Sequence, residues 1–331
     1  MVERLRERGR IARVLIAFAC VYFIWGSTFL ATRIAVATLP PLLMCATRLL
    51  SAGLALLVWA RVTGASWPRG AELRNAAIVG VLLPAVGNGS VTLGVTHVPS
   101  GLVALLLATI PLWMALLAAF GRDAVRPPAR SLVGLVLGFA GIALLLAPSL
   151  AHAARTEFPA RWALLPVAGA FSWAWGTLWA RRVRLPRSPL ASTGVGMLSG
   201  GVFLLAMSGS LGEFARFDPA RVGWSSIAAL GYLSVFGSVV AFSAYLYLLR
   251  HVPPARVATY AFVNPIVALA LGWAFAGEAL SNRSLTAALL VVTAVVLITT
   301  ARTGERVPAD AAKSETAARP VGGEEPCLPS S

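Results

Sequence analysis

His97-Val98-Pro99, with Pro111 midway along the apolar stretch that follows it, and His251-Val252-Pro253, with Pro265 midway along its own, stand 154 residues apart (251 against 97, 265 against 111). Each group sits near the end of a half containing five long apolar segments, so the chain reads as a tandem duplication of a five-span membrane unit. The odd number of spans decides the architecture. If the first copy enters the membrane from one side, the second enters from the other, and the halves form an inverted pair suited to alternating access. The echo extends outward. Trp25-Gly26 aligns with Trp175-Gly176 at an offset of 150 (175 against 25), and Gly87-Asn88 with Gly237-Ser238 at the same offset (237 against 87). The step from 150 to 154 requires a four-residue insertion, about one helical turn, in the eighth span.

Composition agrees with a membrane protein. Hydrophobic residues make up 58% of the 331 and charged ones 12%, about half the charged share of a soluble domain, and mean hydropathy is +0.78. Segments long enough for a ~30 Å hydrocarbon core fall at 12–32, 40–60, 75–96, 99–120, 131–150, 161–180, 189–208, 224–249, 253–276 and 284–301. The expected fold class is an all-α polytopic membrane protein, with ten transmembrane helices as two inverted five-helix repeats. Its parts are a basic N-terminus at 1–11, the first repeat at 12–150, a connecting loop at 151–160, the second repeat at 161–301 and a tail at 302–331. From Thr303 onward Ala, Glu, Pro, Gly and Ser dominate without hydrophobic period, so that tail is expected to be disordered.

The formal charge of +15 would suggest nucleic acid in a soluble protein, but here the basic residues sort by membrane side. With a cytoplasmic N-terminus, 21 Lys and Arg fall on the cytoplasmic side, among them Arg4 to Arg13, Arg122, Arg126, Arg130, Arg181, Arg182, Arg184 and Arg187. Six fall outside, namely Arg33, Arg155, Arg161, Arg216, Arg221 and Arg283, and Arg48 stays within a helix. That bias is consistent only with an even span count and puts both termini in the cytoplasm. The first apolar run is too long for a signal-peptide core and lacks a small-residue cleavage site. Cys20, Cys45 and Cys327 have no paired spacing, so neither a structural disulfide nor a zinc site is expected.

Tyr22-Phe23-Ile24-Trp25-Gly26-Ser27-Thr28-Phe29, Arg48-Leu49-Leu50-Ser51-Ala52-Gly53 and the stretch from Pro265 through Gly277-Glu278-Ala279-Leu280 resemble the EamA-type transporters of the drug/metabolite transporter superfamily, over about residues 12–301. The resemblance implies a ten-helix bundle of two inverted repeats in a bacterial inner membrane and, usually, export of small metabolites or amino acids. One departure stands out: Gly277-Glu278 in the second half faces Gly121-Arg122-Asp123 in the first.

The candidate substrate-binding residues are Trp25, Arg48, Asn88, Trp175, Tyr260 and Asn264, with Pro111 and Pro265 as kinks or hinges. Arg48 lies about 12 Å below the outer boundary, and no Asp or Glu falls well inside a span. Burial there costs at least about 2.5 kcal/mol, so helix carbonyls and Asn88, cavity water, or a substrate carboxylate must compensate it. It is either a pin between helices or an anion site. Each mid-helix proline removes a backbone hydrogen bond, and paired breaks mark either the binding level of an inverted-repeat transporter or simple bends. Trp25 and Trp175 wall a cavity or serve as packing, whereas Trp162, Trp179 and Trp224 suit the interface. His97 and His251 on short turns stabilise helix ends, and Glu278 pairs with Arg283 or another loop Arg.

The leading expectation is a secondary transporter whose partners are a small-molecule substrate and the bilayer, with no nucleic acid and no cofactor. A homodimer is compatible with it, although one chain suffices for a path. A membrane-embedded transferase would need convergent His, acid, Ser or Cys at one face, and His152 is the sole loop histidine outside the two turns. A channel wants a ring of like residues, which two halves do not supply, although a channel-like uniporter stays open. Nucleotide hydrolysis lacks its Gly-rich loop and Lys, the only Lys being Lys313. The charge census makes a direct prediction: reporters at Arg126 and Arg187 read cytoplasm and those at Arg155 and Arg216 read the outer side, and a reversal at any one refutes the topology.

Overall fold

The computed structural model describes residues 2–120, 128–150, 159–252, 254–257 and 259–301. The Gly121-Arg122-Asp123 turn, most of the connecting loop, Pro253, Cys327 and the expected tail lie outside the described residues.

All regular structure among the described residues is helical. In chain order the longer segments are α1 (2–35), α2 (Pro41–Val62), α3 (Ala71–Gly94), α4 (Ser100–Phe120), α5 (Ala129–Leu150), α6 (Ala160–Ala180), α7 (Pro189–Ser210), α8 (224–251), α9 (Tyr260–Ala276) and α10 (Asn282–Thr300). Eight helices among the described residues are long and apolar enough to cross a membrane: α1 from Ile11, α2 to α5, α7, α8 and α10. The two other expected spans are present as helices that miss one criterion each. α6 has 21 residues but is diluted by Trp, Gly and Ser; α9 is apolar but has 17 residues, at the short end for a span. The basic N-terminal segment, expected to precede the first span, continues it as helix from residue 2, because Leu, Arg and Glu favour helix and no proline intervenes.

Local chemistry sets the helix ends. Pro41 and Pro189 occupy first-turn positions of α2 and α7, where the missing N–H is harmless. Ser188 and Ser281 accept from the backbone N–H of Ala191 and Ser284 at the starts of α7 and α10. Gly277 ends α9 with φ +62°, a left-handed turn that favours glycine. α3 and α8 each contain eight π-helical residues, Val81–Asn88 and Leu233–Val240. α8 is four residues longer than α3 (224–251 against 71–94), the length of the insertion inferred from the changing repeat offset.

The most extensive packing is α2 on α7 and α5 on α10, followed by α1 on α8, α3 on α6, α3 on α7, α4 on α6, α1 on α9 and α4 on α9. The largest core cluster lies among α4, α5, α6, α9 and α10, with Val103, Leu105, Leu112, Leu145 and Val291 nearly inaccessible. Between α3 and α7 the approach is backbone to backbone: a Cβ at Gly80 would collide with the Gly196 carbonyl, and one at Gly200 would stand 2.7 Å from the Gly80 carbonyl. Small residues allow this contact, which membrane helices use in place of a hydrophobic driving force. Gly80→Leu is therefore expected to cost at least the ~1–3 kcal/mol of a forced overpacking, read as a lower midpoint of thermal aggregation in detergent. Gly231→Ala, where nothing lies within 4 Å, is expected to leave that midpoint unchanged.

Candidate functional site

The prolines bring the site together. Pro111 and Pro265 have no N–H for the carbonyls four residues earlier, those of Leu107 and Ala261. α4 breaks at that place: its first part ends at Leu107, Ala108 and Thr109 form a turn, and helix resumes at Ile110. Leu107, Ala261 and both prolines line one cavity of about 440 Å³, within the range of small-molecule sites. Phe29 of α1 and Ala104 of α4 lie toward one end of it. Ser131 of α5, Leu178 and Arg181 at the end of α6, and Thr299 of α10 lie toward the other. Tyr260 and Asn264 enter from α9, one helical turn apart. The Asn264 Oδ1 is buried without a hydrogen-bond partner. Among the described lining residues none is acidic and Arg181 alone is charged.

Four of the expected residues thus share one space: Tyr260, Asn264, Pro111 and Pro265. Trp25 stands just behind it. Its ring meets Tyr260 edge-on at 5.1 Å and Tyr245 at 5.3 Å, while its Nε1 donates to the Gly237 carbonyl at 3.1 Å. Arg48, Asn88 and Trp175 are not among the lining residues. Trp175 is 52% exposed and pairs with Phe171. Two positions away and on another side of α6, Trp173 instead covers Gly87, where a Cβ would stand 2.6 Å from its ring. The Trp-Gly repeat therefore has different neighbours in the two halves.

Arg48 is buried, and its Nε donates to Ser238 Oγ at 3.1 Å, joining α2 to α8. Ser238 Oγ in turn donates to the Leu233 carbonyl at 3.1 Å, and Asn88 Nδ2 donates to the Pro84 carbonyl at 3.0 Å. The repeat-related Asn88 and Ser238 thus each serve a carbonyl of a π segment, where the regular i→i−4 ladder is interrupted.

Sequence reasoning missed the chemistry beyond the Phe29 and Ala104 end of the cavity. Glu278 is buried at 8% exposure, although it was expected at a helix end beside a loop Arg. The Arg is Arg33: its Nη1 lies 2.7 Å from Glu278 Oε1. Ser100 donates to Oε1 through its N–H and its hydroxyl, both at 2.7 Å, and the Gly101 N–H donates to Oε2 at 3.1 Å. One carboxylate therefore joins α1, the start of α4 and the end of α9, with the anion at a helix N-terminus where the dipole favours it. Glu213 is also buried and accepts from the Leu42 and Leu43 N–H groups at the start of α2 and from Ser208 Oγ of α7. The only sequence signal for either cap was an acid just after a span. His97 stacks on Trp162 at 3.8 Å, and His251 Nδ1 lies 2.8 Å from the Tyr247 carbonyl, the helix-end placement expected of both.

This all-helical bundle with a central cavity has the architecture of a membrane carrier. The EamA-like transporter family matches residues 12–147 and again 160–300, and the chain belongs to that family. An uncharacterised inner membrane transporter of Escherichia coli, YedA, is 39% identical over 286 residues, covering 86% of this chain and 89% of that one. A probable terminal-alkyne amino-acid exporter of Streptantibioticus cattleyicolor is 25% identical over 300 residues, covering 90% and 97%. A solved crystal structure superposes with a TM-score of 0.58 at 18% identity, over 87% of this chain and 97% of the other, a likeness of fold.

Arg48 yields a prediction from its geometry. As a pin between α2 and α8, Arg48→Gln and Ser238→Ala are each expected to lower thermal stability in detergent, and the double variant to lose less than the sum of the two. Transport of charged and uncharged solutes is expected to fall alike; selective loss for carboxylates would make Arg48 an anion site.

Proposed function

We propose that this chain is a secondary transporter of the bacterial inner membrane, spanning it ten times as two inverted five-helix repeats with both termini cytoplasmic. It works by alternating access and exports small metabolites such as amino acids or their amphipathic, toxic analogues. The observation that carries this reading is a cavity with two unlike ends. One end is bordered by Ser131, Arg181, Thr299 and Ala301. Beyond Ala104 toward the other, the Arg33–Glu278–Ser100 cluster lies about one helical turn farther along α4. By the charge census the Arg181 end is cytoplasmic, so we read the ion-pair cluster as a latch on the outer side.

Three further observations support the repeats. The family matches the chain twice, over 12–147 and 160–300. The packing is largely preserved on exchanging helices five apart: α2 with α7 and α5 with α10 are self-paired, α3 on α7 answers α2 on α8, α4 on α6 answers α1 on α9, and α3 on α6 answers α1 on α8. The two mid-helix prolines, Pro111 just after the break of α4 and Pro265 inside the continuous α9, meet at one cavity, as expected of a binding level at the interface between repeats. The printed name of the Streptantibioticus cattleyicolor relative favours export and amino acids, and that of YedA favours the inner membrane. A transporter, rather than an enzyme, also accords with lining that has no acid, His or Cys to act as base or nucleophile.

In this mechanism solute enters from the cytoplasm, the Arg181 end closes, and Glu278 releases Arg33 and the start of α4 to open the other side. Two measurements test it. Cells carrying the protein are expected to accumulate less of at least one amino acid or toxic analogue than cells without it, and equal accumulation across the panel rejects export. Glu278→Gln, which removes the ion pair and weakens the helix-start contact, is expected to raise labelling of a cysteine at Ala104 from the outer side several-fold; unchanged labelling would mean that Glu278 is not the latch.

A further inference from the structure

We propose that Arg181 is the charge selector of the cavity, so that the solute it takes is an organic monoanion with an apolar body. This rests on the reading of the cavity as the transport site and, among the small metabolites proposed above, selects organic anions over zwitterionic amino acids, whose ammonium group finds no acid among the described lining residues. The body of the cavity is apolar, with Phe29, Leu107, Ile110, Met114, Leu178 and Ile298 along its wall. Its polar groups other than Arg181 among the described lining residues are neutral: the Tyr260 and Ser131 hydroxyls, the Asn264 amide, Thr299, and the Leu107 and Ala261 carbonyls, whose usual i+4 donors are replaced by Pro111 and Pro265.

Among the described residues a cation in this space meets no carboxylate and lies with an arginine, whereas an anion meets the arginine and no opposing acid. The imbalance is moderate, because Arg181 is exposed to water on one side while the wall beside it is apolar. Arg181 is also available. It is exposed at the C-cap of α6, and its side chain makes no hydrogen bond or ion pair among the described residues. Arg48, the cation that attracts attention in the sequence, is instead bound to Ser238 and absent from the lining. A guanidinium at the entrance also presents the paired donors that grip a carboxylate in two places.

The test uses the full chain purified in detergent and three probes of similar shape: 1-naphthylacetate, 1-naphthylmethylammonium and the neutral 1-naphthylethanol. The anion is expected to bind about tenfold more tightly than the neutral probe, and the cation most weakly. Arg181→Gln is expected to bring the anion to the level of the neutral probe, and Arg181→Glu to invert the order of anion and cation. Arg187→Gln, a basic change at the same end but outside the cavity lining, is expected to leave the order intact, which separates selection from membrane orientation. An anion preference that survives both Arg181 variants overturns the proposal. Failure of the underlying reading looks different: Ala108→Trp, which fills the cavity, would leave binding of all three probes unchanged, or none of them would bind the unaltered protein, and either result rejects the cavity as the site and the selector with it.

Discussion

The carboxylate of Glu278 is the contact on which the joining of α1, α4 and α9 depends. It accepts from Arg33 and from two backbone N–H groups and a hydroxyl at the start of α4, while Gly277 turns the chain just before it. A buried carboxylate is stable only when its charge and lone pairs are met, and here three helices supply what is needed. The same contacts serve the N–H groups at the start of α4, which no helix satisfies internally. Breaking the cluster therefore exposes an ion and a helix end together, so it favours two discrete arrangements over a continuum of partial openings.

The cavity depends on the opposite device, a helix that fails to satisfy itself. Pro111 and Pro265 withdraw donors from Leu107 and Ala261, and non-helical backbone at membrane depth is tolerated where it lines a protein-enclosed space. Around this irregular centre the scaffold is regular and tight. Gly80 and Gly196 bring α3 and α7 into backbone contact, and Gly138 on α5 leaves room for Leu112 of α4. Packing of small residues holds some helix pairs as units, while hydrogen bonds and one ion pair hold the end that is proposed to open.

The basic residues illustrate how position changes meaning. Arg48 is buried in α2, and its observed partner is a serine across the bundle. Arg181 is one of many arginines that read as markers of membrane side, yet it alone brings a charge into the cavity lining. Glu213 and Glu278 are likewise ordinary acids after a span until the chain folds back on them.

The helical class and the family were legible in the sequence, because long apolar segments separated by charged turns allow few structures in a bilayer and because the Trp-Gly and Gly-Glu-Ala-Leu stretches are local strings. The shared level of Asn264 and the two prolines was legible as a candidate for the same reason: a proline alters its own helix wherever that helix packs. Apart from Ser208, five positions before Glu213, the partners of Arg48, Glu213 and Glu278 were not, since a donor or acceptor 170 to 245 positions away leaves no local periodicity. Nor was the separation of Trp173 from Trp175, which rests on the rotation of α6 against α3. The sequence by itself determined which helices could form and where they must break; only the tertiary structure decided which side chains share the cavity and which close its end, because helix rotation and long-range hydrogen bonding are set by packing between segments.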